Sequence, residues 1–295
     1  MSHILAGKSI VVLGGDRRQL FLMENLVRKG IMVTAVGFSK ELLPKGVDFS
    51  TEINSVLEHA SAIILPMPGI DNHGQIKVAF SEKPLRLTHE NLRNIPKNVP
   101  VLVGAANEQL KQWSKDYGFK LIEIANDDQL AILNSIPTAE GALALAMNES
   151  PITLHGSFVI IFGFGRVGVT LARLSKSMGA DTWVAARKPS ALARASEMGC
   201  GQILMAEMDT ILSRADFIFN TVPQLVLGQK AIDYLPPSAV IIDLASAPGG
   251  VDFQYAQEVG IKALLVPGLP GKVAPKTAGE MLARVIPRIL SETLP

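Results

Sequence analysis

The segment VIIFGFGRVGVT, Val159–Thr170, constrains the fold of this chain more than any other. An apolar run ends at Gly163. Gly163, Gly165 and Gly168 then fit the spacing G-x-G-x-x-G, and a helical pattern, RVGVTLARLSKSMGA, follows. Each glycine has its own task. The first permits a tight turn out of a strand, the second lets a pyrophosphate approach the backbone, and the third lets helix and strand pack closely. The phosphates would rest on the helix N terminus, where open N–H groups and the dipole favour anions. A glycine turn without a ligand has the same letters, but strand, spacing and helix together specify a dinucleotide site. Its expected contacts are Gly163, Phe164, Gly165, Arg166, Val167 and Gly168.

The surrounding rhythm agrees. Phe158–Phe162, Thr182–Ala186, Gly201–Met205, Phe217–Asn220, Val240–Leu244 and Ala263–Val266 read as six strands with helices between them, a complete dinucleotide-binding domain over residues 151–274. The first half carries a looser version. Its expected strands are Ser9–Leu13, Met32–Val36, Ala62–Leu65, Val101–Val103 and Lys120–Ile124, and its expected helices include Gln19–Lys29 and Glu108–Tyr117. The stretch from Pro66 to Pro100 breaks this rhythm and reads as a long loop with a short hairpin. Hydrophobic residues make up 48% of the 295, charged ones 19% and aromatics 5%. Parallel sheets covered on both faces have that signature.

The expected class is therefore α/β with two parallel-sheet domains: an N-terminal flavodoxin-like or Rossmann-like domain and a doubly wound NAD(P)-binding Rossmann domain, with a cleft between them. Residues 1–136 and a returning C-terminal helix, 275–295, form the first. A bridging helix, 137–150, has Pro137 in its first turn, where a missing N–H costs nothing. The C-terminal segment is amphipathic through Met281, Leu282, Val285, Ile286, Ile289 and Leu290, with Pro287 set to kink it.

The choice of cofactor is read at the end of the strand after the glycine turn. An NAD site places Asp or Glu there to bond the ribose 2′-OH. Here TWVAAR ends in Arg187, followed by Lys188 and Ser190, whereas Asp181 lies at the other end of the strand. Two cations and a hydroxyl suit a 2′-phosphate, so NADP is expected over NAD; the competing reading is a solvated basic loop. Ligands sit beyond the carboxyl ends of parallel strands. FIFNTVP puts Asn220, Thr221, Val222 and Pro223 there, and VIIDLASAPGG puts Asp243, Leu244, Ala245 and Ser246 there.

The first-half turn, IVVLGGDRRQL, lacks the third glycine, and its following strand ends in AVGFSK without a ribose-reading pair. A dinucleotide is not expected. Arg17 and Arg18 beside a helix N terminus suit a small carboxylate; equally, they read as surface arginines with Asp16 as the cap. PGLPGKVAPKTAGEML places Lys276 and Thr277 at the start of the last helix, with capping expected of Thr277. Thr138 and Glu140 are expected at the start of the bridging helix. His155 precedes the first Rossmann strand, and His73 lies in the long loop. Cys200, the only cysteine, reads as a small residue entering a strand, and no metal site is expected. A net charge of +1 from 28 basic and 27 acidic residues excludes a nucleic-acid footprint. No uninterrupted apolar run nears the ~20 residues of a membrane span. The N terminus carries no signal-peptide pattern, and a reducing, cytoplasmic setting is expected.

VVLGGDRRQ, NSIPTAEGAL, LHGSFVIIFGFGRVG, IIDLASAPGGVDF and PGLPGKVAPKTAGEML together resemble the family of dipicolinate synthase A subunits, essentially end to end. More distantly, the last of these and DLASAPGG resemble alanine dehydrogenase and methylene-tetrahydrofolate dehydrogenase. The family resemblance implies oxidation of dihydrodipicolinate, or of hydroxytetrahydrodipicolinate, to pyridine-2,6-dicarboxylate, with NADP accepting the hydride. It implies a flavoprotein-like B subunit for a partner and synthesis in the mother-cell cytoplasm during sporulation; a homo-oligomer is also expected. The two turns would then hold different anions. Family sequences resemble G-G-D-x-R-Q, which favours Asp16 and Arg18 over Arg17 for a substrate carboxylate, with Lys276 as a second cation and Thr138 as a further donor. Glu140 and His155 are the candidates for acid–base work. The alternatives are a non-catalytic NADP-binding subunit or another dehydrogenase of the alanine-dehydrogenase type. A D-2-hydroxyacid dehydrogenase is disfavoured, because DLASAPGG lacks the arginine of that class and no histidine follows His155.

Overall fold

In the computed structural model, residues 5–294 are described; residues 1–4 and 295, at the outer ends of the expected domain spans, lie outside the described residues. The first half forms strands β1 (Ser9–Leu13), β2 (Met32–Val36), β3 (Val47–Ser50), β4 (Ala62–Ile64), β5 (Gln75–Ile76), β6 (Leu85–Arg86), β7 (Pro100–Val103) and β8 (Lys120–Glu123). Its longer helices are α1 (Arg17–Arg28) and α2 (Glu108–Tyr117), and α3 (Asp128–Glu149) follows. The large sheet has the order β3-β2-β1-β4-β7-β8 and every pairing is parallel. That is the Rossmann order rather than the flavodoxin one. β5 and β6 pair antiparallel as the expected hairpin. The same stretch also holds a short helix, His89–Arg93, opened by a Thr88/Asn91 capping box. β3 is an added edge strand with Asp48 and Phe49 exposed, so it lacks the apolar run that marks its neighbours.

The second half forms β9 (Phe158–Phe162), α4 (Arg166–Ser177), β10 (Asp181–Ala186), α5 (Pro189–Glu197), β11 (Gly201–Leu204), β12 (Phe217–Asn220), β13 (Val240–Asp243) and β14 (Lys262–Leu265). Its sheet repeats the same parallel order, β11-β10-β9-β12-β13-β14. In both sheets apolar clusters cover the two faces. Ile10, Val12 and Val33 lie in one and Val11, Leu13 and Ile63 in the other of the first sheet; Val159 and Ile161 oppose Ile160 and Phe162 in the second.

The last helix, α6 (Pro275–Thr293), packs along α1 and belongs with the first sheet, turning Leu282, Val285, Ile286 and Leu290 into its core. Pro287 lies inside it. A proline has no N–H to give the carbonyl four residues earlier, here Ala283, and Lys29 Nζ donates to that oxygen at 2.9 Å.

The chain divides into two units: one up to Leu133 and again from Ala274, the other from Asn134 to Val273. The first boundary falls within α3, which corrects the expected helix start. The helix begins at Asp128, after Asp127 accepts a capping bond from Leu130 N–H at 2.9 Å. Pro137 is therefore interior, and Thr138 and Glu140 are mid-helix rather than at its start. The residues before Pro137, DQLAIL, are themselves good helix formers. α3 is also long and apolar enough to cross a membrane by length and composition, although polar residues and Pro137 interrupt its apolar stretches. Its Ala139, Ala142, Leu143 and Ala146 are buried in the core of the second unit.

Candidate functional site

The glycine turn of the second unit stands at the carboxyl end of β9, beside the point where strand order reverses between β9 and β12. Gly163 has φ +89°, and a Cβ there would lie 2.5 Å from Thr221 Oγ1. A Cβ on Gly168 would fall on the Gly163 carbonyl oxygen. Gly165 differs: its φ of −87° suits any residue, and a Cβ would meet nothing within 4 Å. Two glycines are thus required by the chain itself, whereas the space in front of Gly165 is open. Gly165 is the N-cap of α4 and makes no side-chain hydrogen bond to it, and the first turn carries exposed Arg166 and half-buried Val167. These residues fit a nicotinamide dinucleotide.

The rest of the expected cofactor rim surrounds this turn. Gly163 N–H donates to the Ala185 carbonyl at 2.9 Å, which sets Arg187 two residues past that contact. Arg187, Lys188 and Ser190 are all exposed, with Lys188 opening α5. Thr221 Oγ1 donates to the Phe162 carbonyl at 2.8 Å and closes against Gly163. Val222 and Leu244 are half-buried and Pro223 is exposed, whereas Ala245 is buried and offers only its backbone. Ser246 is exposed.

The first-unit turn has a different geometry. Gly14 and Gly15 both have positive φ. Gly15 N–H donates to the Lys77 carbonyl at 2.8 Å, and Ala79 N–H donates to the Gly15 carbonyl at 3.0 Å. The 77–79 segment therefore lies across the Gly15 backbone, and the Gly15 N–H and carbonyl are both taken up by that pairing. Asp16 caps α1 in a capping box: its Oδ1 accepts from Arg18 N–H at 3.0 Å, and Gln19 Oε1 accepts the Asp16 N–H at 2.8 Å. Arg18 is 8% exposed, and its Nε and Nη2 fork onto Asp16 at 2.9 and 2.8 Å. Burial raises the Asp16 carboxyl pKa, but the bonds and charge of Arg18, with Lys77 adding, outweigh it and hold the group below its ordinary value. Arg18 is thus oriented by Asp16, and Arg17 is exposed beside it.

Lys276 joins this neighbourhood within the same unit. It is exposed in the first turn of α6, one turn before Gly279, whose Cβ would lie 2.5 Å from the Arg18 carbonyl oxygen. The N-terminal turns of α1 and α6 therefore lie side by side, with Arg17, Arg18 and Lys276 on them and Lys77 on the crossing segment. Lys77 is not legible in the sequence, because its only signal is a pairing between segments some sixty residues apart. Thr277 is no cap; the N-cap of α6 is Ala274, with no side-chain capping bond.

His155 sits where its expected role does not place it. His155 is exposed three residues before β9 and packs against Gly179, at the amino edge of the sheet. A five-residue strand, about 17 Å long, separates it from the glycine turn, so His155 is not an acid or base for chemistry at the carboxyl edge. Glu140 is exposed on α3, and Thr138 Oγ1 donates to the Asn134 carbonyl at 2.7 Å, as helix-interior threonines do. His73 is exposed in the loop, its backbone N–H held by Asp71. Cys200 is buried, and burial pushes its thiol pKa up. Among the described residues no group of three or more metal-ligating side chains occurs.

Residues 9–125 match the family described as the N-terminal domain of the dipicolinate synthase A subunit. Residues 139–250 match the NAD binding domain of D-isomer specific 2-hydroxyacid dehydrogenase. The chain is 38% identical over 292 residues to the dipicolinate synthase A subunit of Bacillus subtilis (strain 168), covering 98% of each. The crystal structure of the dipicolinate synthase A subunit from Bacillus halodurans superposes with a TM-score of 0.94 at 39% identity, over 97% of this chain and 99% of that one. The A chain of dipicolinate synthase from Bacillus subtilis gives 0.92 at 37% identity, over 98% and 97%.

Proposed function

The chain belongs to the family of dipicolinate synthase A subunits and is an oxidoreductase with a dehydrogenase role in dipicolinate synthesis, and from that premise we propose that it oxidises dihydrodipicolinate to pyridine-2,6-dicarboxylate with NADP. Hydroxytetrahydrodipicolinate enters the same reaction after losing water. The substrate gives a hydride to NADP and a proton to solvent, and the ring becomes aromatic. The observation that carries the reading is the second-unit turn: Gly165 left open in front of an uncapped α4, with Arg187 and Lys188 at the end of the next strand.

The bound dinucleotide would supply the hydride acceptor. Gly163, Phe164, Gly165, Arg166, Val167 and Gly168 would hold its pyrophosphate, and Arg187, Lys188 and Ser190 its 2′-phosphate. Thr221, Val222, Pro223, Leu244 and Ala245 would border the nicotinamide half. Arg18 would fork onto a substrate carboxylate with Asp16 as its positioning partner, and Lys276 would meet the second carboxylate. Thr138 keeps its proposed role as a donor only if its hydroxyl leaves the Asn134 carbonyl. Glu140 remains the proposed acid–base group. Aromatisation drives the reaction forward, so alignment of ring and nicotinamide is the main catalytic task.

A second reading, a cofactor-binding subunit whose chemistry needs a partner, is favoured by the position of His155 at the wrong edge. The proposed partner is a B subunit, with a homo-oligomer of this chain beside it, and the proposed setting is the mother-cell cytoplasm during sporulation. The test is to mix the purified chain with NADP and freshly generated substrate and to follow the reduced-nicotinamide and pyridine-dicarboxylate absorbance bands. Both bands rising together supports the dehydrogenase reading; cofactor binding with neither band rising transfers the chemistry to the complex.

A further inference from the structure

We propose that Asn220 and Asp243 are positioning residues whose buried pair ties the rim Thr221–Pro223 to the rim Leu244–Gly250, and so sets how tightly the nicotinamide half of the dinucleotide is held. The inference rests on the cofactor reading above. Both side chains are 0% exposed at the carboxyl ends of β12 and β13. Asn220 Nδ2 donates to Asp243 Oδ1 at 2.9 Å and to the Val222 carbonyl at 3.0 Å, while its Oδ1 accepts from Val222 N–H at 3.0 Å. Asp243 Oδ1 also accepts from Ala245 N–H at 2.9 Å, and its Oδ2 accepts from Gly250 N–H at 2.7 Å.

The glycines of APGG are shaped to this pair. Gly249 has φ +89°, and a Cβ there would lie 2.6 Å from Asp243 Oδ2. A Cβ on Gly250 would lie 2.5 Å from Asn220 Nδ2 and 2.7 Å from the Val222 carbonyl. Backbone ladder bonds already join β12 to β13, so the sheet itself does not need a buried carboxylate, which is costly to desolvate. Apart from the bond between the two side chains, every bond the pair makes goes to the segments past the strand ends. Those segments include Val222, next to the Thr221 that closes on Gly163. The pair therefore fixes the rim rather than the sheet.

Asp243→Asn puts an amide NH2 against either Gly250 N–H or the donors Ala245 N–H and Asn220 Nδ2, so one contact becomes donor against donor. The test compares two ligands by calorimetry: NADP, and adenosine 2′,5′-bisphosphate, which carries only the adenine end held near Arg187. For Asp243→Asn and Asn220→Ala, NADP affinity should fall by about tenfold or more while the fragment changes by less than about twofold. NAD and AMP are run in parallel. Equal loss of NADP and fragment would overturn the proposal, since that is what a merely loosened domain gives, and so would variants that bind NADP like the wild type. Wild-type protein that binds neither dinucleotide would overturn the cofactor reading first, which is a different outcome. Should Asp243→Asn fail to fold, Asn220→Ala leaves the carboxylate its two backbone donors and carries the same test.

Discussion

Gly165→Ala separates the two tasks of the glycine turn. The backbone at this residue, φ −87° and ψ −160°, is open to alanine, and the added methyl meets nothing within 4 Å. Reduced unfolded-state entropy favours the variant by about 0.4–1 kcal/mol. Alanine is a poorer N-cap than glycine by a similar amount, so stability should change by less than about 0.5 kcal/mol. Binding should not be spared, because the methyl fills the approach to the α4 N–H groups. Losing one or two charge-assisted hydrogen bonds at about 1.5–3 kcal/mol each removes roughly 2–4 kcal/mol, a fall in affinity of about 30- to 1000-fold. The assay is thermal unfolding without ligand beside calorimetric titration with NADP. An unchanged Kd would refute the reading that a pyrophosphate approaches at Gly165, and a large loss of stability would refute the reading that this glycine is kept for the ligand alone.

Gly168→Ala should behave in the opposite way: its Cβ would fall on the Gly163 carbonyl, and overpacking of about 1–3 kcal/mol should lower the unfolding temperature measurably even without ligand. Arg187→Asp should shift dinucleotide preference from NADP towards NAD, read as the ratio of the two dissociation constants; no shift would identify the basic pair as a solvated loop. Asp16→Ala removes the α1 cap and the partner of buried Arg18, and should cost about 2–4 kcal/mol in denaturant unfolding. Because the Asp16 carboxyl is held below its ordinary 3.8, its contribution is complete above that pH and is lost as pH falls through the lower folded value; an acid titration of wild type against the variant should show their stabilities converging there.

The strands of the second unit were legible because both faces of the sheet are covered, and continuous apolar runs such as FVIIF report that directly. The α1 cap was legible for a similar reason, since Asp16 and Gln19 stand at a fixed local spacing. β3 was hidden because an edge strand with Asp48 and Phe49 exposed has no apolar run. The start of α3 was hidden because Pro137 looks like a first-turn residue, while the true cap, Asp127, lies ten residues earlier. Asn220 and Asp243 were both readable as strand ends, but their pairing depends on the register of β12 against β13. The Lys77 crossing over Gly15 is likewise a contact between distant segments. The misplacement of His155 follows from strand direction: a residue just before a parallel strand lies at the edge opposite the ligand.

Crossed binding measurements decide whether the two glycine turns hold different anions. Wild type, Gly165→Ala and Arg18→Lys would each be titrated separately with NADP and with pyridine-2,6-dicarboxylate. Arg18→Lys keeps the charge but loses the fork. Gly165→Ala should lose NADP and keep the dicarboxylate, while Arg18→Lys should lose the dicarboxylate and keep NADP. A dicarboxylate affinity unaffected by Arg18→Lys, or an NADP affinity lost with it, would show that the two turns do not divide the anions in this way.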